Sequence, residues 1–190
     1  TAIITGSNRG IGLAILKYFA ENGCDIFAHS RKKTADFDKK IIEISNKFNV
    51  KIININFDLL DESEIKLAVM DIIKSKVKVD ILINSAGIIH GGLFQMTSIN
   101  SIKNIFNVNF FGTLALTQLV CKYMTRFKAG SIINIASIAG IDLAQGNCAY
   151  GTSKAALIAF SKTLSSELSS YGIRVNVIAP SLTDTEMAMT

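Results

Sequence analysis

The chain reads as an α/β protein built on a doubly wound parallel sheet, and three features carry that reading. Short β-branched runs alternate with helical periodicities from Thr1 to Pro180, the pattern left when crossover helices pack back onto a parallel sheet. A glycine-rich turn, Gly6-Ser7-Asn8-Arg9-Gly10-Ile11-Gly12, stands between the first strand and the first helix. The 190 residues are 49% hydrophobic with mean hydropathy +0.36, which is core enough for one domain over residues 1–190 and too apolar for a disordered chain.

Thr1 to Thr5 is a β-branched run, and Leu13, Ile15, Leu16 and Phe19 then recur at helical spacing, giving strand, turn and helix. Gly6, Gly10 and Gly12 let the backbone turn sharply and approach a pyrophosphate, whose charge the amides at the helix start can hold. A plain turn is the alternative; the placement between strand and helix favours the phosphate site. The second strand, Asp25 to His29, ends in Ser30-Arg31-Lys32-Lys33. In a dinucleotide fold this strand end faces the adenine ribose, where an acid holds a 2′-hydroxyl and a base suits a 2′-phosphate. There is no acid here, and Arg31 follows directly. A solvated basic loop opening the next helix is the other reading.

Residues 36–48 predict a helix, Lys51 to Phe57 a strand, Glu62 to Lys74 a helix and Val79 to Ile83 a buried strand. Asn84-Ser85-Ala86-Gly87 closes that strand with the small residues that a nucleotide crevice needs. Ile102 through Phe127 predicts mostly one long helical region. Within it Asn109 lies amid Phe106, Val108, Phe110 and Phe111, either as a satisfied core amide or as a functional one, and the residues alone favour the former. Ser131 to Ala136 is the fifth strand with Ser137 at its carboxyl end; Arg174 to Ala179 is the sixth, stopped by Pro180.

The chemistry is expected at Asn147-Cys148-Ala149-Tyr150-Gly151-Thr152-Ser153-Lys154, which opens a helix through Ser170 with Leu157, Phe160, Leu164 and Leu168 at helical spacing. Four residues is about one turn, so Tyr150 and Lys154 share a face, and an ammonium beside a phenol favours the phenolate. The spacing alone is weak evidence, since the chain is rich in lysine.

Other classes are excluded or disfavoured. The net charge of +5 comes from scattered lysines without a basic run and interleaved aromatics, so nucleic acid is not the expected partner, and a phosphate-bearing small ligand suits the balance better. Cys24, Cys121 and Cys148 are odd in number and far apart, with only His29 and His90 for company, which predicts buried thiols, no metal site and a reducing, cytoplasmic setting. No apolar run approaches the roughly 20 residues of a membrane span, so no membrane partner is expected.

With Gly6, Gly10, Gly12, Asn84, Ala86, Gly87, Asn109, Ser137, Tyr150 and Lys154 in hand, the sequence resembles the short-chain dehydrogenase/reductase family along its whole length, in the single-domain branch with a Rossmann fold. Within that family it is most like the 3-oxoacyl-carrier-protein reductases, through Thr5 to Gly12, Ile132 to Ser137 and Arg174 to Pro180. The resemblance implies an NADP(H)-dependent oxidoreductase, with NAD(H) less favoured, acting on a small-molecule carbonyl or alcohol. Ser137 would hold the carbonyl oxygen, Tyr150 act as acid and base, Lys154 activate Tyr150 and grip the nicotinamide ribose, and Asn109 seat a relaying water. Ser7, Arg9 and Ile11 in the turn, Ser30 and Arg31, Asp58 and Leu59 beside the adenine, and Pro180 and Thr185 near the nicotinamide complete the expected cofactor contacts. Ser85 and Ser181 depart from the residues usual there, and the chain stops at Thr190, before the last strand and lid that relatives carry. A homodimer or homotetramer through the 102–127 and 148–170 helices is the assembly implied. A dinucleotide-binding sensor or scaffold without catalysis is the competing function, and the intact set of Ser137, Tyr150, Lys154 and Asn109 argues against it.

Overall fold

The computed structural model describes residues 1–142, 144–181 and 183. Six parallel strands form one sheet in the order β3-β2-β1-β4-β5-β6: β1 (Ala2–Ile4), β2 (Ile26–Ser30), β3 (Ile52–Asn56), β4 (Ile81–Asn84), β5 (Gly130–Ile135) and β6 (Ile173–Ile178). The connecting helices are α1 (Gly10–Glu21), α2 (Ala35–Phe48), α3 (Glu62–Lys74), α4 (Ile99–Phe106), α5 (Thr113–Met124) and α6 (Cys148–Leu168). Every expected strand is present, and so is every expected helix except the long one over 102–127, most with ends shifted by a residue or two, as fraying ends allow.

Alternation along the strands builds two cores. Ile3, Phe27, Leu82, Ile132 and Val175 face α3, α5 and α6, meeting Ile65, Val69, Leu116, Val120 and Leu164. Ala2, Ile4, Ile26, Ala28 and Ile83 face the other way onto Leu16, Phe37 and Ile41 of α1 and α2. Both sheet faces are therefore covered, which accounts for the nearly continuous apolar strands. β1 and β4 are neighbours although three crossovers separate them in sequence, with Ala2 beside Ile81 and Ile4 beside Ile83. The order reverses there, and the carboxyl ends of these two strands open the crevice in which such sheets bind ligands.

The long helix expected over 102–127 is a correction. It starts earlier, at Ile99, and is broken by a π turn over Asn107–Gly112 before α5 begins. An inserted residue of this kind leaves the apolar pattern almost unchanged, so periodicity does not reveal it. The last residue of the turn is closely packed. A Cβ on Gly112 would lie 2.3 Å from the Leu59 carbonyl oxygen, so the helix bears directly on the segment after β3. The cysteines are a second correction. Cys148 is exposed, while Cys24 and Cys121 are half-buried, their thiols pushed up chiefly by burial. Among the described residues no helix is long and apolar enough to cross a membrane.

Candidate active site

The crevice at the strand ends is a cleft of about 480 Å³, within the range of small-molecule and cofactor sites. One wall is the glycine turn. Gly6 adopts φ +63°, and a Cβ there would lie 2.8 Å from the Ala86 Cα, so the β1 and β4 ends meet backbone to backbone. A Cβ on Gly12 would lie 2.2 Å from the Gly6 carbonyl oxygen, and this contact brings the first turn of α1 down onto the loop. No side chain caps α1. Gly10, Ile11 and Gly12, whose amides belong to that uncapped turn, line the cleft, which offers an anion the N–H groups and dipole of a helix start.

The end of the cleft expected to face an adenine is formed by Asp58 and Leu59 after β3 and by Arg9, Arg31, Lys32 and Thr34. The structure thus brings Arg9 and Arg31 to one end of one cleft. Ser30 also lines it, but its hydroxyl donates to the Lys32 carbonyl at 3.1 Å and accepts from the Asn56 side-chain amide at 3.0 Å. Ser30 therefore stands at the expected place in the cleft, with its hydroxyl held by its neighbours.

Lys154 marks the far end with Tyr150. Its Nζ sits 5.9 Å from the centre of the Tyr150 ring and donates to the Ile135 carbonyl at 2.9 Å. Lys154 is only 5% exposed, no carboxylate among the described residues pairs with it, and burial pulls its ammonium down to about 8. A buried cation with one backbone acceptor is costly for the fold and suits a site built to meet a polar ligand.

Ser137 follows β5 and opens a one-turn 3-10 helix, where its hydroxyl accepts from the Ala139 amide at 3.2 Å. A Cβ on Gly140 in that turn would lie 2.7 Å from the Ala155 nitrogen, so the Ser137 segment rests directly on α6 one residue from Lys154. The Pro180 carbonyl accepts from the Ile138 amide at 2.9 Å and fixes the same turn from β6. Ser137 and Pro180 are partly exposed and follow directly on the cleft-lining Ile135 and Ala136 and on β6, but are not themselves among the residues lining the cleft. Thr185 lies outside the described residues.

Asn109 is fully buried in the π turn. Its Oδ1 accepts from the Ile88 amide at 2.8 Å, and its Nδ2 donates to the Ile88 carbonyl at 2.9 Å and to Ser153 Oγ at 3.2 Å. A Cβ on Gly87 would lie 3.1 Å from Asn109 Oδ1 and 3.5 Å from Lys154 Nζ, so the gap between amide and ammonium exists because residue 87 has no side chain. Asn109 is therefore a satisfied amide that also faces Lys154, and the two readings of it are compatible.

Two expected contacts turn away from the cleft. Ser7 is buried with its hydroxyl on the His29 carbonyl at 3.0 Å. Asn84 is 3% exposed and points into the core, donating to Thr117 Oγ1 at 2.9 Å and to Asn134 Oδ1 at 2.7 Å. Alternation decides Asn84: as the last β4 residue it falls on the face that α5 covers. The sequence reading also passed over Ile88, Val108 and His29, which line the cleft. For His29 a signal existed, an ionisable residue inside an otherwise apolar strand that ends at the crevice.

Comparison with known proteins agrees with this geometry. The family model described as short chain dehydrogenase matches residues 1–190. The 3-oxoacyl-[acyl-carrier-protein] reductase FabG of Aquifex aeolicus is 35% identical over 98% of this chain and 75% of its own length. Carbonyl reductase family member 4 of Xenopus tropicalis is 32% identical over 98% of this chain and 76% of its own. Among solved structures, ElxO with NADP bound superposes with a TM-score of 0.91 at 28% identity, covering 99% of this chain and 75% of that one.

Proposed function

The chain belongs to the short-chain dehydrogenase family, and within it we propose an NADPH-dependent reductase that converts the ketone of a 3-oxoacyl thioester, or a similar small carbonyl, to an alcohol. Membership makes the protein an NAD(P)-dependent oxidoreductase; the choice of dinucleotide, the substrate and the residue roles are the proposal. The observation that carries it is the buried, carboxylate-free Lys154 at the Tyr150 end of a cleft whose other end holds Arg9 and Arg31.

The residues present fit a dinucleotide. The uncapped α1 start with its close Gly6–Gly12 contact receives a pyrophosphate, the Arg9 and Arg31 end a phosphorylated ribose, and Lys154 a second ribose. When bound, the cofactor supplies the hydride that reaches the carbonyl carbon. The Tyr150 hydroxyl gives the proton to the carbonyl oxygen, completing the two-electron reduction, and Ser137 orients that oxygen. Lys154, held in place by the Ile135 carbonyl, stabilises the negative charge left on Tyr150. Asn109, held by the Ile88 backbone, faces Lys154 and serves its reprotonation.

The substrate class draws support from the rim. Gly92 donates to the Gly146 carbonyl at 2.8 Å, which ties the loop after β4 to the loop before α6. Ile89, Leu93 and Phe94 of the first loop and Ile138 and Ile141 leading into the second expose large apolar side chains, and an acyl chain would cover that surface. The exposed Ile99 of α4 and Phe111 of the π turn support a homo-oligomer in which the 102–127 region, with the 148–170 helix, forms the contact. NADPH oxidation with acetoacetyl thioester is the test. Turnover is expected; activity on sugar or steroid alcohols with none on 3-oxoacyl thioesters overturns the substrate, and NADPH binding without turnover of any carbonyl points to a sensor.

Cofactor preference gives a separate expectation. A guanidinium offers paired donors to phosphate oxygens at roughly 1.5–3 kcal/mol per charge-assisted bond. Discounted for solvent at this open end, a net of about 2 kcal/mol corresponds to an NADPH preference of about 30-fold. Titration of both dinucleotides should show it in the wild type and show most of it lost in Arg31→Ala. Equal affinities in the wild type contradict the assignment.

A further inference from the structure

β2 carries His29 one residue before its end, and none of the roles above uses it. The ring is 2% exposed and stacks on Phe57 with centroids 3.9 Å apart. Its Nε2 lies 2.9 Å from the Phe57 carbonyl oxygen, and the Gly6 amide donates to its Nδ1 at 3.2 Å. A carbonyl can only accept and a backbone N–H can only donate, so the two contacts together require the neutral ring with its proton on Nε2. Burial agrees, holding His29 down to about 4 although Asp58 pulls the other way. The His29 carbonyl takes two more bonds, from the Ser7 amide at 2.9 Å and the Ser7 hydroxyl at 3.0 Å.

Residue 29 thus receives three hydrogen bonds from the first two residues of the glycine turn and sends one to the residue preceding Asp58. Gly6 itself has no side chain with which to hold its left-handed conformation. The ring spans two walls of the cleft, the turn after β1 on one side and the end of β3 on the other.

We propose that His29 is a positioning residue for the cofactor: its imidazole fixes the glycine turn at a set distance from the Asp58–Leu59 wall and so sets the width of the slot for the adenosine half of the dinucleotide. The inference rests on the reading of the cleft as a dinucleotide site. It assigns to His29 dinucleotide affinity and no part in the chemistry at Tyr150.

The test compares His29→Phe and His29→Gln in the full chain. Phe keeps the ring and its stack on Phe57 but removes both ring hydrogen bonds. Gln offers a carbonyl oxygen to the Gly6 amide and an amide proton to the Phe57 carbonyl. NADPH titration followed by cofactor fluorescence should give a dissociation constant raised about tenfold in His29→Phe and restored to within about threefold of wild type in His29→Gln. With acetoacetyl thioester, the Phe variant should show the loss in KM for NADPH with kcat within about twofold. Nitrogen NMR of the wild-type imidazole should show the proton on Nε2, a reading that stands even if His29→Phe does not fold. Wild-type affinity in the Phe variant, equal weakness in both variants, or a charged ring at pH 7 overturns the inference. A wild-type protein that binds no NADPH overturns the cleft reading, and this one with it.

Discussion

Tyr150→Phe is expected to lower turnover at least 100-fold while leaving the NADPH dissociation constant within about twofold of wild type. A positioned general acid usually contributes 10²- to 10⁴-fold, and the substitution deletes only the hydroxyl that gives its proton to the carbonyl oxygen. The glycine turn, the α1 amides, Arg9 and Arg31 are untouched. Lys154 keeps its bond to the Ile135 carbonyl, and Ser153 keeps its 2.7 Å bond to the backbone carbonyl of residue 150, so the α6 start retains its shape. Single-turnover NADPH oxidation alongside a binding titration measures both quantities. A variant that keeps more than about a tenth of the wild-type rate rules out Tyr150 as the proton donor.

The parts of this site that could be read from the sequence are those that topology places. Once strands and helices alternate, the ends of the parallel strands converge, and Gly6, Asp58, Ala86 and Lys154 have one crevice to line. Arg9 and Arg31, 22 residues apart, meet for that reason. Side-chain direction at the strand ends was harder to read. Asn84 and Ser7 sit beside cleft residues in sequence, yet Asn84 turns by strand alternation into a buried amide network and Ser7, in the turn after β1, bonds to the His29 carbonyl. The bond from the Ser30 hydroxyl to the Lys32 carbonyl is a local contact that composition does not show. The π turn was invisible because one added residue hardly disturbs an apolar pattern, although it is what brings Asn109 onto the Ile88 backbone beside Lys154. His29 was legible only as an anomaly, since its partners lie in the turn after β1 and at the end of β3.

Lys154→Met should abolish activity, by more than about 100-fold, and at the same time make the protein more stable at pH 7. The ammonium is buried, and burial lowers it from 10.5 to about 8, so between those values the folded chain binds fewer protons than the unfolded one and stability rises with pH. The penalty is therefore present in full below about pH 8 and fades as pH climbs towards 10.5. At pH 7 it is about 3 kcal/mol. Methionine fills a similar volume without the charge, but it leaves the Ile135 carbonyl without its donor, at about 1–2 kcal/mol. A net gain of about 1–2 kcal/mol corresponds to a melting temperature higher by a few degrees for a chain of this size. Thermal unfolding of both proteins between pH 7 and pH 10, without added cofactor, reads the effect, and the gap in their favour of the variant should close as pH rises. A variant less stable than wild type at pH 7, or a gap that does not change with pH, would show that Lys154 is held there for packing rather than at the expense of the fold for the sake of Tyr150.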